Sequence, residues 1–226
     1  MLVLALDTTA KTASCAVLEK DADGERMRAV STVCGTLTHS ETMLPMIEKM
    51  LGNIGKKTAD IDLFAVSAGP GWFTGVRIGA AMVKGLAFGT GKPCVGVSTL
   101  EALAENLRVI TENVPDSVVV PVMDARRGQV YNALFEIKDA KPCRMTPDRP
   151  IALSELAEEL RALNAPVFLV GDGTALAQRL EALGQIGVLA GGQRRGRILA
   201  QLDVFIHHIP GQHVLAPEQV ILLQPL

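Results

Sequence analysis

The sequence is poor in aromatic residues and has no excess of positive charge. Six phenylalanines, one tyrosine and one tryptophan occur among 226 residues, and 22 lysines and arginines stand against 24 aspartates and glutamates, for a formal net charge of −2. Aromatic side chains stack on unpaired bases and cationic side chains neutralise phosphates. The composition therefore disfavours a chain that binds DNA or RNA tightly by itself.

Cysteines and long apolar runs are also scarce. The four cysteines form no C-x-x-C pair, which favours reduced thiols in a cytoplasmic protein over a disulfide or zinc framework. No apolar run approaches the roughly 18 residues that cross a bilayer, so no membrane span is expected. The apolar start lacks a basic region and meets Asp7 at once, which predicts a buried strand and no signal peptide.

What is present is a hydrophobic pattern typical of a mixed α/β fold, with 48% apolar residues. The first half predicts the order βββαβαβα, with strands at 1–6, 13–19, 26–33, 61–67 and 94–97 and helices at 40–52, 72–89 and 98–108. The second half predicts strands at 117–123, 129–137 and 166–170 and helices at 154–163, 174–183 and 198–208. A joint at 111–116 containing proline and asparagine divides the chain into domains 1–110 and 111–226.

The helix at 40–52 has a capping-box pattern at its start. Thr38 and Glu41 have the required spacing, although Pro45 argues for a start nearer Thr42. His39 at this helix start is interpreted as structural. The other histidines, His207, His208 and His213, are interpreted as part of a solvated C-terminal region, because Asp203 and His207 lack a third metal ligand.

A glycine-rich segment, Gly69-Pro-Gly71-Trp-Phe-Thr-Gly75, follows a strand and opens a helix. It departs from the dinucleotide fingerprint because three residues precede the last glycine and no acidic ribose partner follows. Neither is Gly91-Lys92 a P-loop, which needs an earlier glycine at position 86 and a hydroxyl at 93, where leucine and proline stand. A glycine-lined turn whose N–H groups could face an anion remains.

Asp7-Thr8-Thr9 ends the first strand. Hydroxyls and N–H groups around one carboxylate in a hairpin are typical of a phosphate-binding turn, although Asp/Thr turns with a purely structural role are more common.

The helices at 40–52 and 72–89 are either two well-buried helices or a protein–protein surface. Apolar residues exceed one core face in the first, and small residues allow close approach to the second. The predicted interface residues are Met43, Met46, Met50, Gly75, Val76, Gly79 and Val83.

Four ordered motifs together resemble the bacterial TsaB family. They are Leu4-Ala-Leu-Asp7-Thr-Thr, His39-Ser-Glu41-x-x-Leu44-Pro45, Gly69-Pro-Gly-x-Phe-Thr-Gly-x-Arg77-Ile-Gly79 and Asp124-Ala-Arg-Arg-Gly-x-Val130-Tyr131. The resemblance covers roughly residues 1–183. It implies an actin-like ATPase (ASKHA, RNase H-like) fold with two related lobes, the second reduced. It also implies a non-catalytic partner of the enzyme TsaD, assisted by TsaE, in making threonylcarbamoyladenosine next to the tRNA anticodon.

The resemblance carries further expectations for individual residues. Thr99 and Leu103 stand where TsaD-like enzymes have an H-x-x-x-H metal pair, so neither metal binding nor catalysis is expected. Asp124-Ala-Arg-Arg-Gly128 replaces a phosphate loop, and Arg126 and Arg127 could contact an anion. Asp7, Thr8 and Thr9 are then the relic of half a nucleotide site.

The same resemblance predicts no tightly bound cofactor, with ATP or ADP held only in the complex. It predicts that tRNA binds only through the complex and that the chain alone is a homodimer through the same helices. The family's closing Pro-x-Tyr-x-Arg segment is absent from the tail.

Two other functions remain open from the residues. A small-molecule kinase or ATPase on the same fold would need a complete metal–phosphate site and would turn over ATP alone. A glycoprotease-like metallopeptidase would need metal ligands and a general base, and the purified protein would hold zinc or iron.

Overall fold

The computed structural model describes residues 1–34, 38–107, 114, 116–139, 141–163, 165–173 and the backbone of 220–223. The described residues form two compact units, 1–99 and Leu100 onward. The predicted helices at 174–183 and 198–208 lie outside the described residues, as does most of the joint at 111–116. The domain boundary at 110–111 therefore stays a prediction.

The first unit has the predicted order of strands and helices. Its elements are β1 (Leu2–Asp7), β2 (Ala13–Asp21), β3 (Gly24–Val33), α1 (His39–Asn53), β4 (Leu63–Ser67), α2 (Phe73–Thr90), β5 (Cys94–Val97) and α3 (Thr99–Glu105), the last of which continues into the second unit. The sheet order is β3-β2-β1-β4-β5. β1, β2 and β3 form an antiparallel meander, whereas β4 and β5 run parallel to β1.

The core of this unit lies between the sheet and the helices α1 and α2. Leu2, Leu4 and Leu6 alternate along β1 as buried residues, as a strand with one face on the core requires. Cys15 on β2 joins them, and burial raises the pKa of its thiol to about 12. Cys34 and Cys94 are exposed, so the expectation that the thiols lie in a core holds for Cys15 but not for these two.

The predicted interface residues are largely core residues, which corrects that prediction. Met43, Met46 and Met50 are 0%, 8% and 4% exposed, because the apolar stripe of α1 lies against β2 and β3. Val83 is 1% exposed, Gly75 and Gly79 are buried, and Val76 is half-buried. Of the two interpretations, that of well-buried helices is correct for the six buried residues.

The capping box at the start of α1 is confirmed. One oxygen of the Glu41 carboxylate accepts hydrogen bonds from the Thr38 N–H at 2.9 Å and the Thr38 hydroxyl at 2.6 Å. The helix begins at His39, not near Thr42, and continues through Pro45. The cap stabilises the first turn of the helix, and Pro45 lies beyond that turn.

Replacing Glu41 with alanine is expected to destabilise the chain at neutral pH more than in acid. The hydrogen bonds from Thr38 hold the pKa of the Glu41 carboxyl below its ordinary value of 4.5. A group whose pKa is lowered by folding contributes stability above its unfolded pKa and loses it as the pH falls through the folded pKa. Urea unfolding at pH 7 and in acid measures the difference. Glu48→Ala, which removes an exposed carboxylate elsewhere on the same helix, is the control.

The second unit contains more strands than the sequence predicts. Its elements after α3 are β6 (Val118–Arg126), β7 (Gln129–Asn132), β8 (Phe135–Lys138), β9 (Lys141–Arg144), β10 (Arg149–Ala152), α4 (Leu153–Ala162), β11 (Val167–Val170) and β12 (Val220–Leu223). The single strand predicted at 129–137 is two strands. The chain leaves β7 at buried Asn132, whose side-chain amide donates to the carbonyls of Pro121 and Ala133.

The two units repeat one topology. In the second, β6 pairs antiparallel with β7, β7 antiparallel with β10, and β6 parallel with β11. These pairings match β1 with β2, β2 with β3, and β1 with β4 in the first unit. The helices α1 and α4 likewise follow the third strand of each repeat. This repetition confirms the prediction of two related lobes.

Candidate functional site

The turn after β1 is held together by one buried carboxylate. Asp7 Oδ1 accepts hydrogen bonds from the Thr9 N–H at 2.8 Å and the Thr9 hydroxyl at 2.7 Å. Asp7, Thr8 and Thr9 are 1%, 0% and 0% exposed. An aspartate that accepts from the N–H two residues ahead stabilises a tight turn, so these side chains have a structural role in the chain.

The glycine-rich segment packs directly against this turn. The Thr8 hydroxyl donates to the Gly75 carbonyl at 2.7 Å, and the Trp72 N–H donates to the Thr9 carbonyl at 2.7 Å. A Cβ at Gly71 would lie 2.6 Å from the Thr9 carbonyl oxygen, and one at Gly75 only 1.9 Å from that of Thr8. These glycines therefore allow the close approach of α2 to the β1–β2 turn, and this turn occupies the space that a second helix would need beside them.

This packing bears on the anion-binding role that both segments suggested. The hydroxyls of Thr8 and Thr9 and the Trp72 N–H, which would have faced a phosphate, are hydrogen-bonded within the first unit. A role of Asp7, Thr8 and Thr9 toward a nucleotide stays a prediction.

His39 has the structural role expected from the sequence. Its Nε2 lies 2.7 Å from the Ala10 carbonyl oxygen, which can only accept, so the ring donates. The side chain thereby joins the start of α1 to the β1–β2 turn.

The outward side of α2 carries large exposed aromatic side chains. Phe73 is 68% exposed and Phe88 is 92% exposed, and the Trp72 side chain before them is 39% exposed. At 100° per residue, one outer stripe of α2 contains Phe73, Arg77, Ala81, Lys84 and Phe88, all exposed. The Arg77 guanidinium lies over the Phe73 ring, 3.8 Å from its centroid.

The sequence reasoning missed this outer stripe. Buried residues recur every fourth position at Gly75, Gly79, Val83 and Ala87. This period is visible in the sequence, and at 100° per residue it places Phe88 on the opposite side of the helix and Phe73 at one edge of the outer stripe. The sequence analysis interprets the small residues as allowing another helix to approach closely, whereas Gly75 and Gly79 lie against the β1–β2 turn of the same unit.

The two positions that correspond to the metal-binding histidines of TsaD-like enzymes lie in the protein interior. Thr99 and Leu103 are 0% and 1% exposed, and each belongs to α3. In the part of the chain that the structure describes, no three histidine, cysteine, aspartate or glutamate side chains are grouped so that they could hold a metal ion.

Arg126 and Arg127 lie at the tip of the β6–β7 hairpin and are exposed. Asp124 Oδ1 accepts from the Arg126 N–H at 2.7 Å, and Asp172 Oδ1 accepts from the Asp124 N–H at 3.2 Å. The tip is thus supported by two carboxylates of the same unit.

Among the described residues, no helix is long and apolar enough to span a bilayer.

Known proteins match both the sequence and the fold. Residues 36–195 match the family model of TsaD, described as tRNA N6-adenosine threonylcarbamoyltransferase. The TsaB protein of Bacillus subtilis, named for tRNA threonylcarbamoyladenosine biosynthesis, is 32% identical over 191 residues, which are 84% of this chain and 80% of that protein. The protein of the same name from Escherichia coli is 37% identical over 136 residues, 60% of this chain and 55% of its own length.

Two solved structures from Pseudomonas aeruginosa have the same fold. YeaZ superposes with a TM-score of 0.57 at 27% identity, covering 68% of each chain. A protein similar to peptidase YeaZ superposes with a TM-score of 0.66 at 27% identity, covering 79% of each chain. From these matches and the repeated topology, this chain belongs to the bacterial TsaB (YeaZ-type) family and has an actin-like ATPase fold.

Proposed function

We propose that the chain is a non-catalytic subunit that binds TsaD and, with TsaE, supports threonylcarbamoyl transfer to the tRNA adenosine next to the anticodon. The pathway follows from the family, whose members are named for tRNA threonylcarbamoyladenosine biosynthesis. The observation that carries the scaffold role is the outer stripe of α2, where Phe73 and Phe88 are 68% and 92% exposed.

The chemistry of the outer stripe suits a protein partner. Phenylalanine and arginine are both enriched at protein interfaces relative to the rest of the protein surface. Arg77 stacks on Phe73, and Lys84 is exposed on the same stripe. The aliphatic stems of both side chains extend the contact area, while their charges stay at its rim. With this stripe at the contact, α1 and α2 pair with the equivalent helices of TsaD as a four-helix bundle. In the absence of TsaD, two copies of the chain associate through the same surface.

The interior of the chain supports a role other than catalysis. A threonine and a leucine, both buried, occupy the positions of the metal-binding histidines of TsaD-like enzymes. A hydroxyl and an alkyl group are poor ligands for iron or zinc. The hydroxyls of Thr8 and Thr9 donate hydrogen bonds within the first unit. We therefore expect ATP or ADP to bind only in the complex with partners. That complex acts on tRNA in the cytoplasm.

Millimolar ATP with Mg²⁺ is expected to leave the melting temperature of the isolated chain unchanged. A ligand present at 100 times its Kd would stabilise the native state by about 2.7 kcal/mol, a shift of several degrees. Thermal denaturation with and without ATP measures this, and the same titration on the mixture with TsaD and TsaE is the comparison. A clear upward shift for the chain alone would instead support a kinase or ATPase.

Light scattering after size exclusion tests the proposed function directly. The chain alone and the chain mixed with TsaD from the same organism are compared, with a new one-to-one species expected in place of any homodimer. The mixture with TsaE, ATP and threonylcarbamoyl-adenylate is then expected to modify tRNA, whereas the chain alone is not. If both proteins elute unchanged with and without ATP, the scaffold role is wrong.

A further inference from the structure

The tip of the β6–β7 hairpin has arginines where the backbone favours other residues. Arg126, Arg127 and Gly128 have φ values of 71°, 54° and 76°, and Arg126 pairs with Gln129 across the turn. A two-residue hairpin turn with positive φ at both central positions favours asparagine, aspartate or glycine. Side chains with longer stems pay a steric cost in this region. Local conformation therefore does not account for the arginines.

Hydrogen bonds to Asp124 and Asp172 hold the turn in this conformation. A bulge between Asp124 and Arg126 re-aims the strand at this point. Asp124 accepts from the Arg126 N–H at 2.7 Å, and its N–H in turn donates to Asp172 at 3.2 Å. The second oxygen of Asp124 lies 3.7 Å from the Arg126 guanidinium, whose side chain is 68% exposed. Within the described residues Arg127 has no such carboxylate, so its charge faces solvent.

We propose that Arg126 and Arg127 contact the phosphate backbone of the RNA on which the complex acts. A guanidinium presents paired N–H donors that match phosphate oxygens. All four residues of the tip, 126–129, are exposed and polar or glycine, so the tip lacks the apolar centre that a protein interface requires. Phosphate contacts need no such centre, and they position RNA without reading its sequence.

The overall charge sets the scale of this contact. With a net charge of −2, the chain does not attract RNA by itself, and two arginines at one tip add a local contact to binding supplied by the partners. The inference thus rests on the proposed function and names the group through which this subunit touches the RNA.

The test uses the complex of the full chain with TsaD and TsaE and measures its affinity for unmodified tRNA at several salt concentrations by fluorescence anisotropy. The slope of log K against log salt is negative, and each lost phosphate contact reduces its magnitude by about 1. Arg127→Asn is expected to show a decrease of about 1, and the double variant Arg126→Gln/Arg127→Asn of about 2. Lys141→Gln removes one exposed positive charge from the same unit and is expected to leave the slope unchanged.

Arg127→Asn also separates lost contact from lost folding. Asparagine suits the positive φ of 54°. The melting temperature of the variant chain is therefore expected to be up to about 2 °C above that of the wild type. A variant that binds tRNA with the wild-type slope, in a complex that retains tRNA, overturns the inference alone. Unchanged tRNA affinity with weakened assembly would make the tip a protein contact and also overturn it. A wild-type complex that does not bind tRNA contradicts both the proposed function and the inference.

Discussion

Replacing Gly75 with alanine is expected to unfold the chain or to cost about 3 kcal/mol or more of stability. The added Cβ would lie 1.9 Å from the Thr8 carbonyl oxygen, which belongs to backbone and has no flexible end to move aside. The helix α2 would have to retreat from the β1–β2 turn. That movement breaks the hydrogen bonds from the Thr8 hydroxyl to Gly75 and from the Trp72 N–H to Thr9.

The same helix provides the matched control for this substitution. A Cβ at Gly85 meets nothing within 4 Å, so Gly85→Ala exchanges only helix propensity and is expected to stabilise the chain by roughly 0.5 to 1 kcal/mol. Urea unfolding followed by circular dichroism measures both variants. If Gly75→Ala is as stable as Gly85→Ala, the close contact between α2 and the turn is wrong.

Replacing Phe88 with glutamate is expected to weaken binding to TsaD about 30-fold or more while leaving the fold intact. Phe88 is 92% exposed, so the substitution removes almost no intramolecular contact. At the interface the substitution replaces an aromatic contact with a carboxylate that must lose its hydration. Truncation of an interface hot spot weakens binding by about 2 kcal/mol or more. Each 1.4 kcal/mol corresponds to a factor of about ten in Kd. Titration calorimetry against TsaD and urea unfolding of the variant give the two readouts.

An exposed apolar residue away from α2 is the control for this prediction. Met145 is 46% exposed in the second unit, and Met145→Glu makes the same kind of chemical change there. It is expected to bind TsaD like the wild type. Equal loss for both variants, or wild-type affinity for Phe88→Glu, would count against the outer stripe of α2. Val83 cannot serve in this test, because a glutamate at a position only 1% exposed would place a charge in the core and report on folding.

The family and the order of elements in the first unit could be predicted from the sequence, because both depend on short-range patterns. The alternation of Leu2, Leu4 and Leu6, and the spacing of Thr38 and Glu41, are local signals, and the structure agrees with each. The ordered motifs carried the resemblance without any knowledge of contacts. The start of α1 predicted near Thr42 is wrong. The preference of proline for the first turn of a helix was outweighed by the cap and by burial of the helix.

The faces of the helices and the purpose of the glycines were decided only by the tertiary structure. Periodicity says that α2 has two sides, but which side is covered depends on what packs against it, here a turn some 67 residues earlier in the chain. For the same reason the methionines of α1 looked like a surface and are core. The positive φ at Arg127 likewise arises from the register of β6 with β7, a pairing that residue types alone do not specify.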